Sequence, residues 1–200
     1  MKEVRTTTIG LTGNIASGKS HIAEIFKSLG AVIANSDIAA HEAMNGEAFA
    51  KIAAAFPAAI EHGKINRQLL GREVFADEEK LIKLEKILHP LVRKKNLEFI
   101  TANQGKLIVL EIPLLFEAEA NEICDYTVFI HVSRETQLSR ALARPGLNPE
   151  KLEKIITRQT KIPIAEKMRR ADFIINNNPD DDAAKQVKKI LIALKRRARP

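Results

Sequence analysis

The stretch Gly13-Asn14-Ile15-Ala16-Ser17-Gly18-Lys19-Ser20 restricts what this chain can fold into more than any other. It fits G-x-x-x-x-G-K-[ST], a loop whose backbone N–H groups surround phosphate oxygens. Its flanks suit that use. Ile9-Gly10-Leu11-Thr12 reads as a short buried strand, and Ser20 to Leu29 reads as a helix, with Ile22, Ile25, Phe26 and Leu29 at 3–4 spacing. A strand, a glycine turn and a helix N-terminus form an anion trap, because unpaired N–H groups and the helix dipole converge there. In such a loop Lys19 reaches the β- and γ-phosphates and the Ser20 hydroxyl ligates Mg²⁺. Nucleotide binding is the first expectation.

The rest of the chain alternates between two periodicities. Apolar runs at Thr7–Thr12, Ala31–Ala34, Leu107–Ile112, Thr127–Val132 and Phe173–Ile175 read as strands. Between them lie helical patterns at Ser20–Leu29, about Ile38 to Asn103, Arg134–Arg144 with Pro149–Gln159, and Asp181–Arg197. Five short strands joined by helical crossovers imply an α/β fold with a parallel, doubly wound sheet. Ligands of such sheets bind at the carboxyl ends of the strands. The loop after strand one, Asp37 after strand two, Glu111–Pro113 after strand three and Asn176–Asn178 after the last strand all fall there. Asn177 is placed beside the nucleotide on that basis. Two stretches exceed what a minimal sheet needs. Residues 38–103 read as a helical insertion for the phosphate acceptor. Residues 134–170 carry Arg134, Arg140, Arg144, Arg158, Arg169 and Arg170 and break at Pro145-Gly146 and Pro163, which suits a lid.

Charge narrows the partners. Of 32 basic residues, seven lie between 183 and 200, where there is no acid; the other 25 balance 25 acidic residues. The excess of +7 is therefore one terminal helix. Val187, Ile190, Leu191 and Leu194 give that helix an apolar face, and Asp180–Asp182 precede it, as the helix dipole favours. It reads as an amphipathic closing helix rather than a nucleic-acid patch. The single Cys124 cannot form an intramolecular disulfide and reads as a small buried hydrophobe. No apolar run approaches the ~20 residues a membrane span needs. A cytoplasmic, monomeric protein without membrane or nucleic-acid partners is expected.

Phosphoryl transfer to an alcohol needs a held donor, a metal, cations for developing charge and a group for the acceptor hydroxyl. Gly13 to Lys19 supply the first, and Ser20 with Mg²⁺ the second. Arg140 and Arg144, four apart on one helix face, are candidates for the third; a solvated face is the alternative. Asp37 is the candidate for the fourth, as a proton acceptor, and it also suits a helix N-cap. Glu111 ends an apolar strand and is either an acid holding Mg²⁺ through water or a structural carboxylate. His89 precedes Pro90 between two helical runs, where a structural histidine at a turn is the plainer reading.

Taken together, these segments resemble the dephospho-CoA kinase family, in family order and over nearly the whole chain. They are Gly10-Leu11-Thr12-Gly13 through Gly18-Lys19-Ser20, Ser36-Asp37 to His41-Glu42, Gly63-Lys64-Ile65-Asn66-Arg67-Gln68, Val74-Phe75, Leu84 to His89-Pro90, Pro113-Leu114-Leu115-Phe116-Glu117, Gln137-Leu138-Ser139-Arg140, Arg144, Arg158-Gln159 and Ala171-Asp172. The resemblance implies a P-loop kinase fold and ATP-dependent phosphorylation of the ribose 3′-hydroxyl of dephospho-CoA, giving CoA and ADP. It implies that Asp37 is the base, that residues 38–103 bind CoA, that a lid lies near 134–170, and that Arg67 and His89 sit in or beside the acceptor site. The nucleotide-contacting set is then Gly13 through His21 with Asn177, and the cofactors are ATP and Mg²⁺.

The loop is where the chain departs from that pattern. The family loop usually reads Gly-Gly-Ile-Gly-Ser-Gly-Lys-Ser-Thr; here Asn14 and Ala16 replace glycines and His21 replaces threonine. Asn tolerates left-handed backbone, whereas Ala16 is strained if its position needs positive φ. The family's Asp-Ala-Asp appears as Asn35-Ser36-Asp37. Two other functions compete. One is a different small P-loop nucleoside or nucleotide kinase. The other is a nucleotide-dependent nucleic-acid-binding protein, although the Asn/Thr-Lys-x-Asp guanine motif is absent.

Overall fold

A computed structural model describes residues 6–145 and 147–197; Gly146, and the side chains of Lys151 and Arg158, lie outside the described residues. The chain divides into two compact units, one made of residues up to Ala34 and from Asn103 onward, the other of Asn35–Ala102.

The first unit is a doubly wound sheet. Its strands are β1 (Thr7–Gly13), β2 (Val32–Asn35), β5 (Leu107–Glu111), β6 (Tyr126–His131) and β7 (Phe173–Asn176), in the order β2-β5-β1-β6-β7. The β1–β5, β1–β6 and β6–β7 ladders are parallel. After β1 the chain passes to the β2 side and later returns to β6 on the other, so the carboxyl end of β1 is a topological switch point, where such sheets open a crevice. Helix α1 (Lys19–Ser28) starts there and buries Ile22, Ala23 and Phe26 on the sheet. It stops in a Schellman motif: Gly30 takes φ 97°, and the Ala31 N–H reaches the Phe26 carbonyl at 3.1 Å. The aliphatic core joins Ile9, Leu11, Val109, Val128, Ile130 and Ile175 of the strands to α1 and to the closing helix α9 (Ala183–Arg197) through Val187, Ile190 and Leu194. Helices α6 (Arg134–Leu142), α7 (Pro149–Gln159) and α8 (Ile164–Arg170) lie between β6 and β7 in sequence.

The second unit holds α2 (Ser36–Asn45), α3 (Phe49–Ala55), the hairpin β3 (Ile60–Glu61) and β4 (Lys64–Ile65), α4 (Arg67–Phe75) and α5 (Glu78–Ala102) around Ile52, Phe56, Leu70, Val74, Leu84 and Leu88. Its one sheet element was not expected from sequence. His62 and Gly63 take φ of 50° and 71°, the two left-handed residues of a tight hairpin turn.

Two expectations are corrected by the helices. His89 does not mark a turn between two helical runs. It lies inside one continuous 25-residue helix, α5, with Pro90 in its interior. A proline there removes a hydrogen bond and crowds the preceding turn, at a cost of about 3 kcal/mol. The apolar face of α5, packed on α2 and α4, offsets that cost. Arg140 and Arg144 do not share a helix face. α6 ends at Leu142, and Arg144 lies beyond it in an exposed turn. The cause is local: a residue preceding proline is pushed out of the helical region, and Arg144 precedes Pro145.

Candidate nucleotide site

The loop after β1 is held open by residues that tolerate no substitute. A Cβ on Gly13 would sit 2.7 Å from Ser17 Oγ and 2.8 Å from the Ile130 carbonyl. Gly18 has φ 90°, and its Cβ would lie 2.3 Å from Asn177 Nδ2. Within the loop the Ser17 N–H donates to the Asn14 carbonyl at 3.1 Å. Lys19 Nζ curls over the loop and donates to the Gly13 carbonyl at 2.9 Å and to that of Asn14 at 3.4 Å. Its flexible stem can swing the ammonium from there to a phosphate. Ser20 and His21 follow in the first turn of α1, whose N–H groups lack carbonyl partners within the helix; the His21 side chain is exposed.

Asn14 and Ala16 part company. Asn14 has negative φ, so its tolerance of left-handed backbone is not called upon. Ala16 has φ 60° and carries the strain anticipated for it. Its methyl is buried with Ala141, Leu152 and Ile156, so α6 and α7 pack on the loop at this point.

Glu111 and Ser20 meet. Glu111 ends β5 beside β1, is 6% exposed, and accepts the Ser20 hydroxyl at 2.9 Å. The pair offers two hard oxygens and leaves other coordination positions to phosphate and water, the donor set Mg²⁺ favours. Among the described residues no group of three or more His, Cys, Asp or Glu could hold a metal by itself. Asn177 lies on the far wall: buried, it donates from Nδ2 to the Ser17 carbonyl at 2.8 Å and from its N–H to the His131 carbonyl at 2.9 Å. The Arg140 guanidinium lies 3.9 Å from the point where a Gly18 Cβ would stand, beside the loop. Arg134 instead bonds Gln137 and faces Glu153 at 3.7 Å, while Arg170 covers the Phe116 ring at 4.8 Å. Behind the loop a cavity of about 200 Å³ is lined by Asn14, Ser17, Arg134, Gln137 and Thr160, room for water but not for a nucleotide.

A family model, dephospho-CoA kinase, matches residues 7–182. The chain belongs to the dephospho-CoA kinase family. The dephospho-CoA kinase of Rhizobium etli is 39% identical over 193 residues, covering 94% of each chain. The solved dephospho-CoA kinase of Campylobacter jejuni aligns at 32% identity with a TM-score of 0.70, over 96% of this chain and 98% of that one. The structure of TT1252 from Thermus thermophilus aligns at 32% identity with a TM-score of 0.85, over 95% and 98%. Kinases of this family transfer phosphate from ATP, so this is a phosphotransferase with a P-loop kinase fold.

The other expected residues belong to the second unit. Asp37 is exposed in the first turn of α2. It is not the N-cap: Asn35 is, its Oδ1 accepting the N–H groups of Asp37 at 2.9 Å and Ile38 at 3.2 Å. Asn and Asp cap equally well, so Asn35 keeps the helix start and leaves the Asp37 carboxylate for other work. The start of α2 is fixed on α5 by a buried bond from Asn96 Nδ2 to Ser36 Oγ, 3.1 Å. Arg67 is exposed at the first position of α4, behind an Asn66 cap, and His89 is exposed on α5. Sequence reasoning assigned no role to Gln137, Gln159, Lys167 or Glu117. Gln137, Gln159 and Glu117 lie in segments that carry the family resemblance and Lys167 does not, but nothing in the sequence shows which neighbour any of them bonds.

Proposed function

We propose that this chain transfers the γ-phosphoryl group of ATP to the ribose 3′-hydroxyl of dephospho-CoA, giving CoA and ADP. The family match over residues 7–182 carries the reading, and the Lys19–Ser20–Glu111 cluster at the end of β1 supports it. In this mechanism the N–H groups of Ala16 and of Gly18 to His21 receive the α- and β-phosphates, that of Ser17 being held by the Asn14 carbonyl. Lys19 leaves the Gly13 carbonyl and moves to the β- and γ-phosphates. Ser20 and Glu111 would hold Mg²⁺, which when bound neutralises charge on the phosphate oxygens. Arg140, beside Gly18, stabilises charge on the transferring group; Arg144 joins it only if the turn after α6 carries it inward. Asn177 fixes the loop against β6 and β7. Asp37 accepts the proton of the attacking hydroxyl, a role compatible with a carboxylate not spent on capping. On the family resemblance, Arg67 and His89 are assigned to acceptor binding.

Incubation with ATP, Mg²⁺ and a panel of acceptors tests this. ADP release with dephospho-CoA, and a product phosphorylated at the 3′ position, is the expected result. No turnover with dephospho-CoA alongside turnover of another nucleoside or nucleotide would overturn it.

A further inference from the structure

The loop that receives the nucleotide is gripped from outside by two buried glutamines. Ile15 donates its N–H to Gln159 Oε1 at 2.6 Å, and its carbonyl accepts Gln137 Nε2 at 3.1 Å. Both glutamines are less than a tenth exposed. The amide of Gln137 has only one sensible orientation, because Arg134 Nη1 donates to its Oε1 at 3.3 Å and leaves Nε2 for the loop. Gln159 is itself held at the end of α7: the buried Lys167 donates to its backbone carbonyl and pairs with Glu117, in the loop after β5.

We propose that Gln137 and Gln159 are positioning residues for nucleotide binding, which hold the two peptides around Ile15 so that the left-handed Ala16 presents its N–H to phosphate. The physical link is peptide planarity. A trans peptide sets its carbonyl and the following N–H on opposite sides. With the Ile15 carbonyl turned outward to Gln137, the Ala16 N–H turns to the inside of the loop. Ala16 does not favour φ 60° by itself. Glycine adopts that φ without strain, so an alanine loop needs outside restraint where a glycine loop does not. The two glutamines provide it, one on each side of Ile15, and the Lys167–Glu117 pair fixes the second of them to the loop after β5. α6 and α7 thereby help shape the phosphate cradle as well as packing on it.

The inference rests on the loop being the ATP site and is independent of the acceptor. ADP binding by titration calorimetry, with no acceptor present, is the appropriate measurement. Gln137→Met removes the donor with little change of volume and is expected to raise the ADP dissociation constant on the order of tenfold, with thermal stability nearly unchanged. In an Ala16→Gly background the same substitution should cost threefold or less, since glycine takes that φ with no steric strain for the clamp to oppose. Gln159→Glu keeps an acceptor for the Ile15 N–H and should lose far less affinity than Gln159→Met. An unchanged constant in Gln137→Met, or an equal loss in both backgrounds, overturns the proposal. If Gln137→Met does not fold, the two Gln159 variants decide it, equal losses in both overturning it. A wild-type chain that binds no ADP overturns the nucleotide reading itself, which keeps the two failures distinct.

Discussion

At the scale of single residues the site depends on a few atoms that leave little latitude. Asp37 is the second residue of α2 while Asn35 does the capping, so Asp37→Asn should leave the helix intact. Under the proposed mechanism it lowers kcat by about 10²–10⁴-fold, the range of a general base, with ADP affinity retained. Near-normal turnover in steady-state assays would remove Asp37 from the chemistry. Gly18→Ala is expected to act differently. It forces a methyl onto Asn177 Nδ2 at a φ of 90°, so ADP binding should disappear and stability fall by about 2 kcal/mol or more on urea unfolding. Ala16→Gly brings two opposed terms: release of strain, and loss of a methyl buried against Ala141, Leu152 and Ile156. Each is about 1 kcal/mol, so a net change within about 1 kcal/mol is expected.

At the scale of elements, the closing helix α9 shows how charge and packing divide. Its apolar face joins the core, while Arg197 stacks over the Phe173 and Tyr126 rings at 5.1 and 5.7 Å. Arg197→Ala should therefore cost about 0.5–1 kcal/mol in stability, read by thermal or urea unfolding, and leave turnover unchanged. The five strands were legible in the sequence because each is an apolar run between turn residues. The phosphate loop, Ser20 included, was legible because its glycines, lysine and hydroxyl serve a fixed geometry, and Glu111 was picked out by its place at a strand end. Other features depended on information the local pattern lacks. The tight hairpin at His62-Gly63 uses a histidine where Asn or Asp is the usual sign. The continuity of α5 through Pro90 is decided by packing on α2 and α4, against local propensity. The clamp from Gln137 and Gln159 joins residues more than a hundred positions from Ile15, and no spacing rule links them.

For the molecule as a whole, Cys124 offers a reporter. Burial first, and Asp125 beside it second, push its thiol from 9.0 up to about 12. The folded state thus favours the neutral thiol. That contribution is complete below pH 9 and is lost as pH rises from 9 toward 12, because the unfolded chain releases the proton first. The stability of the wild type should fall more steeply above pH 9 than that of Cys124→Ala, by at most about 1.4 kcal/mol per pH unit, in urea titrations at stepped pH. The sheet has a consequence for synthesis on the ribosome. The central strand β1 pairs Thr7 with Leu107 and Ile9 with Tyr126, so its neighbours emerge a hundred or more residues later. At about 5–20 residues per second, β1 waits roughly 5–20 s with Ile9 and Leu11 unpaired, while the whole Asn35–Ala102 unit is made and free to fold first. The nascent chain thus carries its phosphate loop unformed through much of translation, and its apolar first strand is the segment that chaperones have most reason to cover.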